Sequence, residues 1–413
     1  MQVAVFHPGT QHSWQTALAL QQLGRLAWYA TSIFYQPDRF PYRLERYAPP
    51  PLGRRMAAEF RRFSHPGLDP ALVRTGGLAE WAERIAARAG WRGLAQQIDA
   101  FGNRRFVSQI AGSIRGPEAF ALWGYNGSAR TSFELAKAYG RHRILDRTIG
   151  DYRVFNAAMD AVAATHGAWF LPTERRIPAA TIAADDAEYR LADTILAGSP
   201  FAAETIRSSV ADPAIHAKLR VLGYCYDKTL FAAVPPPAPV PRDGPVRFMF
   251  MGVANPRKGI HLLLEAIARI PKSAAELTIV GDLRVPHGAF APYADRVTYI
   301  PTVARGDVPA IMAAHHVLVL PGYFEGSSLT LLEALASGMA LIQSSSAGVG
   351  VTRQTGILLD RLDADAVHAA LMAAIEDRDR LDAWRAAAQG EAQRHSFARY
   401  RENIAALLGE LAL

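Results

Sequence analysis

Strand-like and helix-like segments alternate along most of this sequence, a pattern that only a few folds accommodate. Short apolar runs such as VAVFHPG, AFALWGYNG, HRILDRT and DTILAGS are separated by stretches with helical periodicity. Strands that are apolar throughout suit a parallel sheet covered by helices on both faces, whereas half-exposed strands alternate apolar and polar residues. The chain is therefore predicted to be an α/β protein with doubly wound parallel sheets.

A proline-rich segment interrupts this alternation. AAVPPPAPVPRDGP, residues 232–245, holds six prolines in fourteen residues, a density that neither a helix nor a central strand accommodates. The alternation then resumes with VRFMFMG, ELTIVGD and HVLVLPG. The chain, with 413 residues, is also too long for one ordinary core. We predict two facing Rossmann-like domains, residues 1–235 and 236–395, and a helix over residues 396–413 that packs back toward the first.

The loop after the run HVLVLPG carries a glutamate, Glu325, followed by Gly-Ser-Ser. Open parallel sheets bind ligands beyond the carboxyl ends of their strands, so the cleft between the two domains is the expected site. A helix that begins near Leu329 after Ser327 and Ser328 directs its free N–H groups and positive dipole end toward this edge. The turn is therefore predicted to bind an anion.

A second glutamate, Glu333, lies in the helix that follows. On a helical wheel it shares one strip with Thr330 and Ser337, and no basic residue is nearby in the sequence. This strip suits a carboxylate that binds hydroxyl groups in a cleft, but a capping box of Thr330 and Glu333 is an alternative. The spacing itself means little, because Glu402 and Glu410 repeat it on the terminal helix, where a solvated surface is expected.

Two adjacent cations follow the first strand of the second domain. Arg257 and Lys258 precede the helical run IHLLLEAI, where they oppose the helix dipole. A bound phosphate would explain them, since arginine offers a planar fork and lysine a compact charge. The alternative is an ordinary solvated pair. In the first domain, Gly9 and Thr10 follow the first strand, and Gly9 permits close approach of a ligand to the backbone.

Charge and composition narrow the possible partners. Residues 1–240 hold 28 Lys+Arg against 20 Asp+Glu, a net charge of +8, and the remaining residues carry −1, which gives the total of +7. No nucleic-acid-binding motif accompanies this charge, so no nucleic acid partner is expected. Part of the charge lies in RRMAAEFRRF, residues 54–63, whose spacing suits either an anionic membrane surface or, as the favoured reading, a solvated helix face.

The cysteine count and the hydropathy bear on the compartment. Cys225 is the only cysteine, which suits a reducing compartment and a packing role. No apolar run reaches membrane-spanning length. A cytoplasmic protein is expected, with peripheral contact to the inner face of a membrane as the open alternative. No HExxH or CxxC pair occurs, so no metal site and no cofactor are predicted.

Several of these segments together resemble a known family. HVLVLPGYFEGSSLTLLEALASG, FMFMGVANPRKGIHLLLEAI, ELTIVGD, LADTILAGSPFAAETI and VLGYCYDKTLF are similar, in order and spacing, to retaining glycosyltransferases of the GT-B fold, family 4 (glycosyl transferases group 1). The resemblance covers most of residues 185–395. It implies a nucleotide-diphospho-sugar donor bound mainly by the second domain and an acceptor bound mainly by the first.

The resemblance also implies roles for individual residues. Glu325 would hold hydroxyls of the transferred sugar, and Glu333 those of the nucleotide ribose. Lys258 would neutralise the diphosphate, together with N–H groups around Ser328, Leu329 and Thr330 and with the Gly9 loop on the other side. Ser327 and Thr10 belong to these two donor-binding loops.

Two positions depart from the family pattern. An arginine often follows the glycine at position 252, but Val253 stands there, and we expect Arg257 to supply the missing charge. A histidine often follows a middle strand of the first domain, and Asp146 is the nearest equivalent, with an expected catalytic role.

The expected reaction is metal-independent glycosyl transfer with retained anomeric configuration, in glycolipid or surface polysaccharide synthesis. A nucleotide-sugar epimerase and a non-catalytic sugar-nucleotide-binding subunit are the alternatives. Both are less favoured because Glu325, Lys258 and Glu333 are all present.

Overall fold

The structure is a computed structural model that describes residues 1–9, 12–61, 63, 65, 67–75, 106–174 and 176–413. It contains two parallel sheets, as the alternation of segments predicts. The first sheet has seven strands: β1 (Gln2–His7), β2 (Leu26–Thr31), β3 (Val73–Thr75), β4 (Phe120–Tyr125), β5 (Arg143–Arg147), β6 (Thr194–Ala197) and β7 (Leu219–Val221). The second has six: β8 (Val246–Met251), β9 (Ala275–Val280), β10 (Val297–Ile300), β11 (Val317–Leu320), β12 (Ala340–Ser344) and β13 (Gly356–Leu359). The predicted Rossmann-like fold class is confirmed.

Helices connect the strands throughout the part of the chain that the structure describes. Their bounds are Ser13–Gln22, Pro50–Arg61, Arg130–Ala138, Tyr152–His166, Ala179–Leu191, Pro200–Ser209, Pro213–Lys218, Lys228–Phe231, Ile260–Ala268, His287–Phe290, Val308–Ala313, Leu329–Ala336, Ala364–Glu376, Arg378–Ala392 and Phe397–Glu410. Residues 106–115 are also helical. None of the described helices is long and apolar enough to span a membrane.

Strand order places the loops that matter. The order is β3-β2-β1-β4-β5-β6-β7 in the first sheet and β10-β9-β8-β11-β12-β13 in the second. In each sheet the chain moves outward for three strands and then returns to the other side of its first strand. β8 and β11 are therefore neighbouring strands whose following loops lead away from each other. Loops of this kind leave a crevice at the carboxyl edge of a sheet, where such sheets bind ligands.

The central strands of the second sheet are buried on both of their faces. Consecutive residues of β8 and of β11 each have at most 1% of their surface exposed: Phe248, Met249 and Phe250, and Val317, Leu318 and Val319. Because successive residues of a strand point to opposite faces, burial at both odd and even positions requires helices on both sides. This burial explains the uninterrupted apolar runs of the sequence and fixes β8 and β11 as a rigid base for their loops.

Contacts divide the described chain into two units that interleave along the sequence. The first unit comprises Met1–Asp146, Ala183–Leu196 and Arg401–Leu413, and the second comprises Arg147–Ile182 and Ala197–Tyr400. Most of the terminal helix thus groups with the first unit, where Arg401 donates to Gln22 Oε1 at 2.6 Å. The boundary at residues 235 and 236 stays a prediction.

Cys225 is buried and free, and burial raises the pKa of its thiol to about 12. A thiol with such a pKa is protonated at neutral pH and a poor nucleophile. This environment suits the packing role that the sequence indicates.

The basic stretch at residues 54–63 forms part of the helix Pro50–Arg61. Phe60 and Phe63 of this stretch are buried in a small cluster with Ile33 and Tyr42, and Met56 packs against it. The apolar face of this stretch is thus occupied by its own unit, and Arg62 lies outside the described residues.

Candidate functional site

The loop after β8 presents the two adjacent cations. Asn255 begins a short 3-10 turn, Pro256–Lys258, and its side chain accepts a hydrogen bond from the Lys258 N–H at 3.2 Å. Gly259 ends the turn with φ +68°, and a Cβ there would overlap the carbonyl of Pro321. This Asn-Pro start and glycine stop hold Arg257 and Lys258 in one orientation, directed at the neighbouring loop after β11.

Both cations bind a single oxygen of Glu325. Its Oε1 accepts from Arg257 Nη1 at 2.7 Å and from Lys258 Nζ at 2.9 Å. The three side chains are 22%, 10% and 12% exposed, respectively, so solvent screens their charges only weakly. Arg257 also donates to the Phe324 carbonyl at 2.8 Å. Two cations and one carboxylate leave one net positive charge, which favours an incoming anion over the solvated-pair alternative.

The loop that carries Glu325 is held by aromatic contacts. Phe324 is fully buried, and its ring meets Phe155 and Phe201 edge-on, with centroids 5.4 and 5.8 Å away. Edge-to-face packing of this kind fixes ring orientation as well as burying area. Sequence reasoning missed Phe324, because nothing local distinguishes an anchoring aromatic residue from any other in a turn.

The next residue, Gly326, fills a place that no larger residue fits. A Cβ at this position would overlap the backbone of Thr148, and Ser199 Oγ donates to the Gly326 carbonyl at 2.5 Å. At the start of the same loop, the carbonyl of Gly322 accepts from Ser344 Oγ and Ser346 Oγ at 2.5 and 2.9 Å. The loop is therefore pinned before and after Glu325.

The helix Leu329–Ala336 begins directly after this loop. Ser328 occupies the N-cap position, which excludes the alternative in which Thr330 caps a later start. Ser328 makes no side-chain capping bond. Its N–H donates to the Ala347 carbonyl at 3.2 Å. The N–H groups of Leu329 and Thr330 come next, and because the first N–H groups of a helix have no partner within the helix, they are left for the predicted anion site.

No basic residue lies near Glu333 in the sequence, but in the structure a cation lies beside it. Glu333 is 4% exposed, and its carboxylate forms an ion pair with Arg305, which lies 28 residues earlier in the chain. Burial by itself lowers the pKa of Arg305. The hydrogen bond and charge of Glu333 raise this pKa by more, so the net shift is upward. Ser337, on the same helical strip, donates to the backbone carbonyl of Glu333 at 2.9 Å.

Three of the predicted site residues belong to the first unit: Gly9, Thr10 and Asp146. The Gly9 N–H donates to His7 Nδ1 at 2.9 Å, so its backbone is occupied locally. Thr10 lies outside the described residues. Asp146, 1% exposed at the end of β5, accepts from Trp123 Nε1 at 3.3 Å. A carboxylate with a structural role commonly accepts a hydrogen bond of this kind. The catalytic role of Asp146 stays a prediction.

A cavity adjoins the cation pair. It has a volume of about 210 Å³, and Arg257 and Asn255 form part of its wall. The rest of the wall combines apolar side chains, including Phe155 and Phe170, with the charged side chains of Asp160, Glu174 and Arg176. Burial raises the pKa of Glu174, while Leu171, Arg284 and Arg257 oppose the shift.

The described residues contain no group of three or more His, Cys, Asp or Glu side chains placed to hold a metal ion. The cations of the candidate site are instead the side chains of Arg257, Lys258 and Arg305. Metal independence stays a prediction.

Comparison with known proteins identifies the segment that carries the site. Residues 245–377 match the family model described as glycosyl transferases group 1. This segment is thus similar to the group 1 glycosyltransferases, and we call it the group 1 domain. All five charged residues of the candidate site, Arg257, Lys258, Arg305, Glu325 and Glu333, lie inside this group 1 domain. The resemblance recognised in the sequence is confirmed.

Relatives of the group 1 domain match only part of their length. An O-antigen chain mannosyltransferase B from Escherichia coli is 29% identical over 161 residues, which are 36% of this chain and 41% of that protein. A D-inositol 3-phosphate glycosyltransferase from Rhodococcus opacus is 30% identical over 164 residues, 36% of either protein. The chain thus spans less than half the length of these curated relatives.

Solved structures match the whole chain at low sequence identity. A sucrose-phosphate synthase from Thermosynechococcus elongatus has a TM-score of 0.65 and 17% identity, over 100% of this chain and 99% of that one. HepE from Anabaena, in complex with UDP-glucose, has a TM-score of 0.60 and 12% identity, over 99% and 100%. The fold is therefore GT-B, and the group 1 domain is its second Rossmann-like domain.

Proposed function

We propose that this protein transfers a sugar from a nucleoside-diphosphate sugar to an acceptor hydroxyl, with retained anomeric configuration and without a metal. The observation that carries the proposal is the convergence of Arg257 and Lys258 on Glu325 beside a helix N-terminus, inside a group 1 glycosyltransferase domain. This cluster offers a net positive charge for a diphosphate and a carboxylate for sugar hydroxyls.

The charges of the cluster suit the bond that breaks. As the bond between the anomeric carbon and the diphosphate oxygen lengthens, negative charge grows on that oxygen. Lys258 and the N–H groups of Leu329 and Thr330 stabilise it, and groups fixed before the reaction do so most effectively. Arg257 takes the place of a charge at Val253. These residues thereby make the diphosphate a better leaving group.

The acceptor hydroxyl attacks from the face that the leaving group departs. A new bond forms between its oxygen and the anomeric carbon, and its proton passes to the departing diphosphate oxygen. Glu325 positions the sugar through its hydroxyls and forms no covalent bond to it. Glu333, held by Arg305, accepts hydrogen bonds from the ribose hydroxyls. The products are the glycosylated acceptor and the protonated nucleoside diphosphate.

Donor and acceptor classes follow from the relatives. HepE is seen with UDP-glucose, so UDP-sugars are the first donors to test. The Escherichia coli relative is a mannosyltransferase of O-antigen chains, so nucleotide mannose donors and glycolipid or surface polysaccharide acceptors come next. A panel of nucleotide sugars is screened by thermal stabilisation, since a ligand that binds only the folded protein raises its melting temperature.

The decisive experiment follows donor turnover and product configuration. With a stabilising donor and an acceptor panel, NMR is expected to show a product with the donor's anomeric configuration. An inverted product contradicts the mechanism. Donor that changes sugar stereochemistry without acceptor indicates an epimerase, and a donor that binds without hydrolysis or transfer indicates a binding subunit.

The role of the Glu325 carboxylate in turnover can be tested with a matched pair of variants. Glu325→Gln is expected to lower turnover about 100-fold, because a misplaced sugar loses that much reactivity. Glu402→Gln removes an exposed carboxylate from the terminal helix and is expected to leave turnover unchanged. Equal activity of the two variants would remove Glu325 from the mechanism.

A further inference from the structure

One surface of the first unit exposes apolar side chains next to arginines. Of the ten exposed large apolar residues among the described part of the chain, four fall between residues 40 and 52. They are Phe40 (56% exposed), Leu44 (41%), Tyr47 (81%) and Leu52 (53%). Single exposed apolar residues are common on soluble proteins, but a local concentration marks an interaction surface.

Five exposed arginines lie among these side chains: Arg39, Arg43, Arg46, Arg54 and Arg55. Arg46 pairs with Asp38 at 2.9 Å. For the other four, no ion pair is found with any residue whose side chain the structure describes. Glu45, the other acidic residue of this stretch, is half-buried and accepts from the Tyr35 hydroxyl at 2.6 Å. The surface therefore carries a clear excess of positive charge.

The surface is held by a buried layer beneath it. Tyr42 and Phe60 are both buried and pack edge-on with ring centroids 5.2 Å apart, which joins the turn Tyr42–Arg46 to the helix Pro50–Arg61. Gly53 lets the two segments approach, since a Cβ there would lie 2.7 Å from the Glu45 carbonyl. The apolar residues that stay exposed are thus not spare core residues, because the core beneath them is already filled.

We propose that this arginine and apolar surface, residues 38–55, docks the protein on an anionic lipid bilayer. Interfacial binding combines apolar and aromatic side chains inserted at the headgroup level with cations that meet anionic headgroups. Phe40, Leu44, Tyr47 and Leu52 supply the first, and the arginines the second. A protein partner that offered only acidic groups would neutralise the arginines but leave the exposed leucines and aromatic residues in contact with water.

Vesicle co-sedimentation tests the surface independently of any enzymatic activity. The full chain is expected to sediment with phosphatidylcholine vesicles that contain phosphatidylglycerol, and far less with phosphatidylcholine alone. High salt is expected to weaken binding, because it screens the arginines from the headgroups. Binding to polyglutamate without binding to either vesicle would overturn the proposal in favour of an acidic protein.

Variants separate the two contributions. Arg54→Ser with Arg55→Ser is expected to lower vesicle partitioning about 25-fold, since each basic residue near an anionic surface contributes about fivefold. Leu44→Ser with Leu52→Ser should also weaken binding, and this loss should persist at high salt. Circular dichroism verifies that each variant is folded.

The control removes the same charge elsewhere on the first unit. Arg115→Ser with Lys137→Ser deletes two exposed cations outside this surface and should leave partitioning within about twofold of the original, since its arginines are intact. Equal losses in the two charge variants would mean that only overall charge matters, and the proposal of a docking surface would fail. Because this assay uses no donor, it remains informative if the proposed transfer reaction is wrong.

Discussion

At the scale of single residues, the candidate site depends on two buried or half-buried carboxylates, each neutralised by side chains far away in the sequence. Glu325 is bound by Arg257 and Lys258, and Glu333 by Arg305. A carboxylate with little exposure needs such partners, because charge without compensation is costly away from water. These pairs also orient each carboxylate before any ligand arrives.

Arg257 is the residue whose role the sequence left most open. Arg257→Ala removes one of the two cations on Glu325, so donor affinity and turnover should both fall, by about tenfold or more. Lys258→Ala should cost about 100-fold or more in turnover, because Lys258 is the more buried cation and is assigned to the leaving group. Steady-state kinetics of the two variants measure this. Unchanged kinetics of Arg257→Ala would show that it does not replace the charge missing at Val253.

Arg305 is expected to act on donor binding through Glu333. Arg305→Ala leaves the Glu333 carboxylate without its orienting partner, so KM for the donor should rise about tenfold with little change in kcat, the pattern of lost uniform binding. Arg305→Lys should recover part of the affinity. The matched control is Arg284→Ala, which removes an exposed arginine paired with Asp282 in the same unit. A fall in kcat without a change in KM would contradict the ribose assignment.

At the scale of elements, the loop between β11 and the helix Leu329–Ala336 is the most constrained segment of the site. Its two ends are fixed by a rigid strand and a helix start, and its middle by the Phe324 ring and the serine hydroxyls around it. A loop with so many fixed points can hold Glu325 without help from a ligand. Preorganisation of this kind is what catalytic electrostatics requires.

Gly326→Ala tests that constraint. The added methyl would overlap the Thr148 backbone, so the free energy of unfolding should fall by about 1–3 kcal/mol, as for other overpacked positions. Turnover should fall with it, because Glu325 must shift. The control is Gly288→Ala in the helix His287–Phe290, where an added Cβ meets nothing within 4 Å. Denaturant unfolding compares them, and equal stabilities would show that the loop is not tightly packed.

At the scale of the whole molecule, buried neutral histidines link stability to pH. Burial lowers the pKa of His261 to about 3, and the nearby His166 adds to the shift. Burial likewise lowers the pKa of His316 to about 3, helped by surrounding arginines. In the unfolded chain these side chains titrate near the ordinary value of about 6.5. Between these two values the unfolded state binds more protons than the folded state.

The second unit should therefore lose stability in acid. Stability is fully present above about pH 6.5 and falls as the pH drops toward about 3, by at most about 1.4 kcal/mol per pH unit for each histidine. His261→Gln should reduce this slope by one histidine's share, whereas His287→Gln, at an exposed position, should not change it. Denaturant unfolding as a function of pH measures the slopes. An unchanged slope in His261→Gln would mean that His261 is charged when folded.

The α/β class, the strands in VRFMFMG, ELTIVGD and HVLVLPG and the turn around Glu325 could all be predicted from the sequence. These features are local, because apolar runs, helical periodicity and turn residues act within a few positions of one another. The sequence also indicated Lys258 and Glu333 as candidate site residues, from an adjacent cation pair and a polar helical strip, whereas their specific roles are implied only by the resemblance to a family.

The sequence could not predict which charged side chains pair, because the partners come together through the tertiary fold. Arg257 and Lys258 reach Glu325 from 68 and 67 positions away, and Arg305 reaches Glu333 from 28. Such partners are set by strand order, since β8 and β11 are neighbours in the sheet but not in the chain. The exposed surface at residues 38–55 is likewise a tertiary outcome, because which side of an amphipathic segment stays in water depends on what fills the core beneath it.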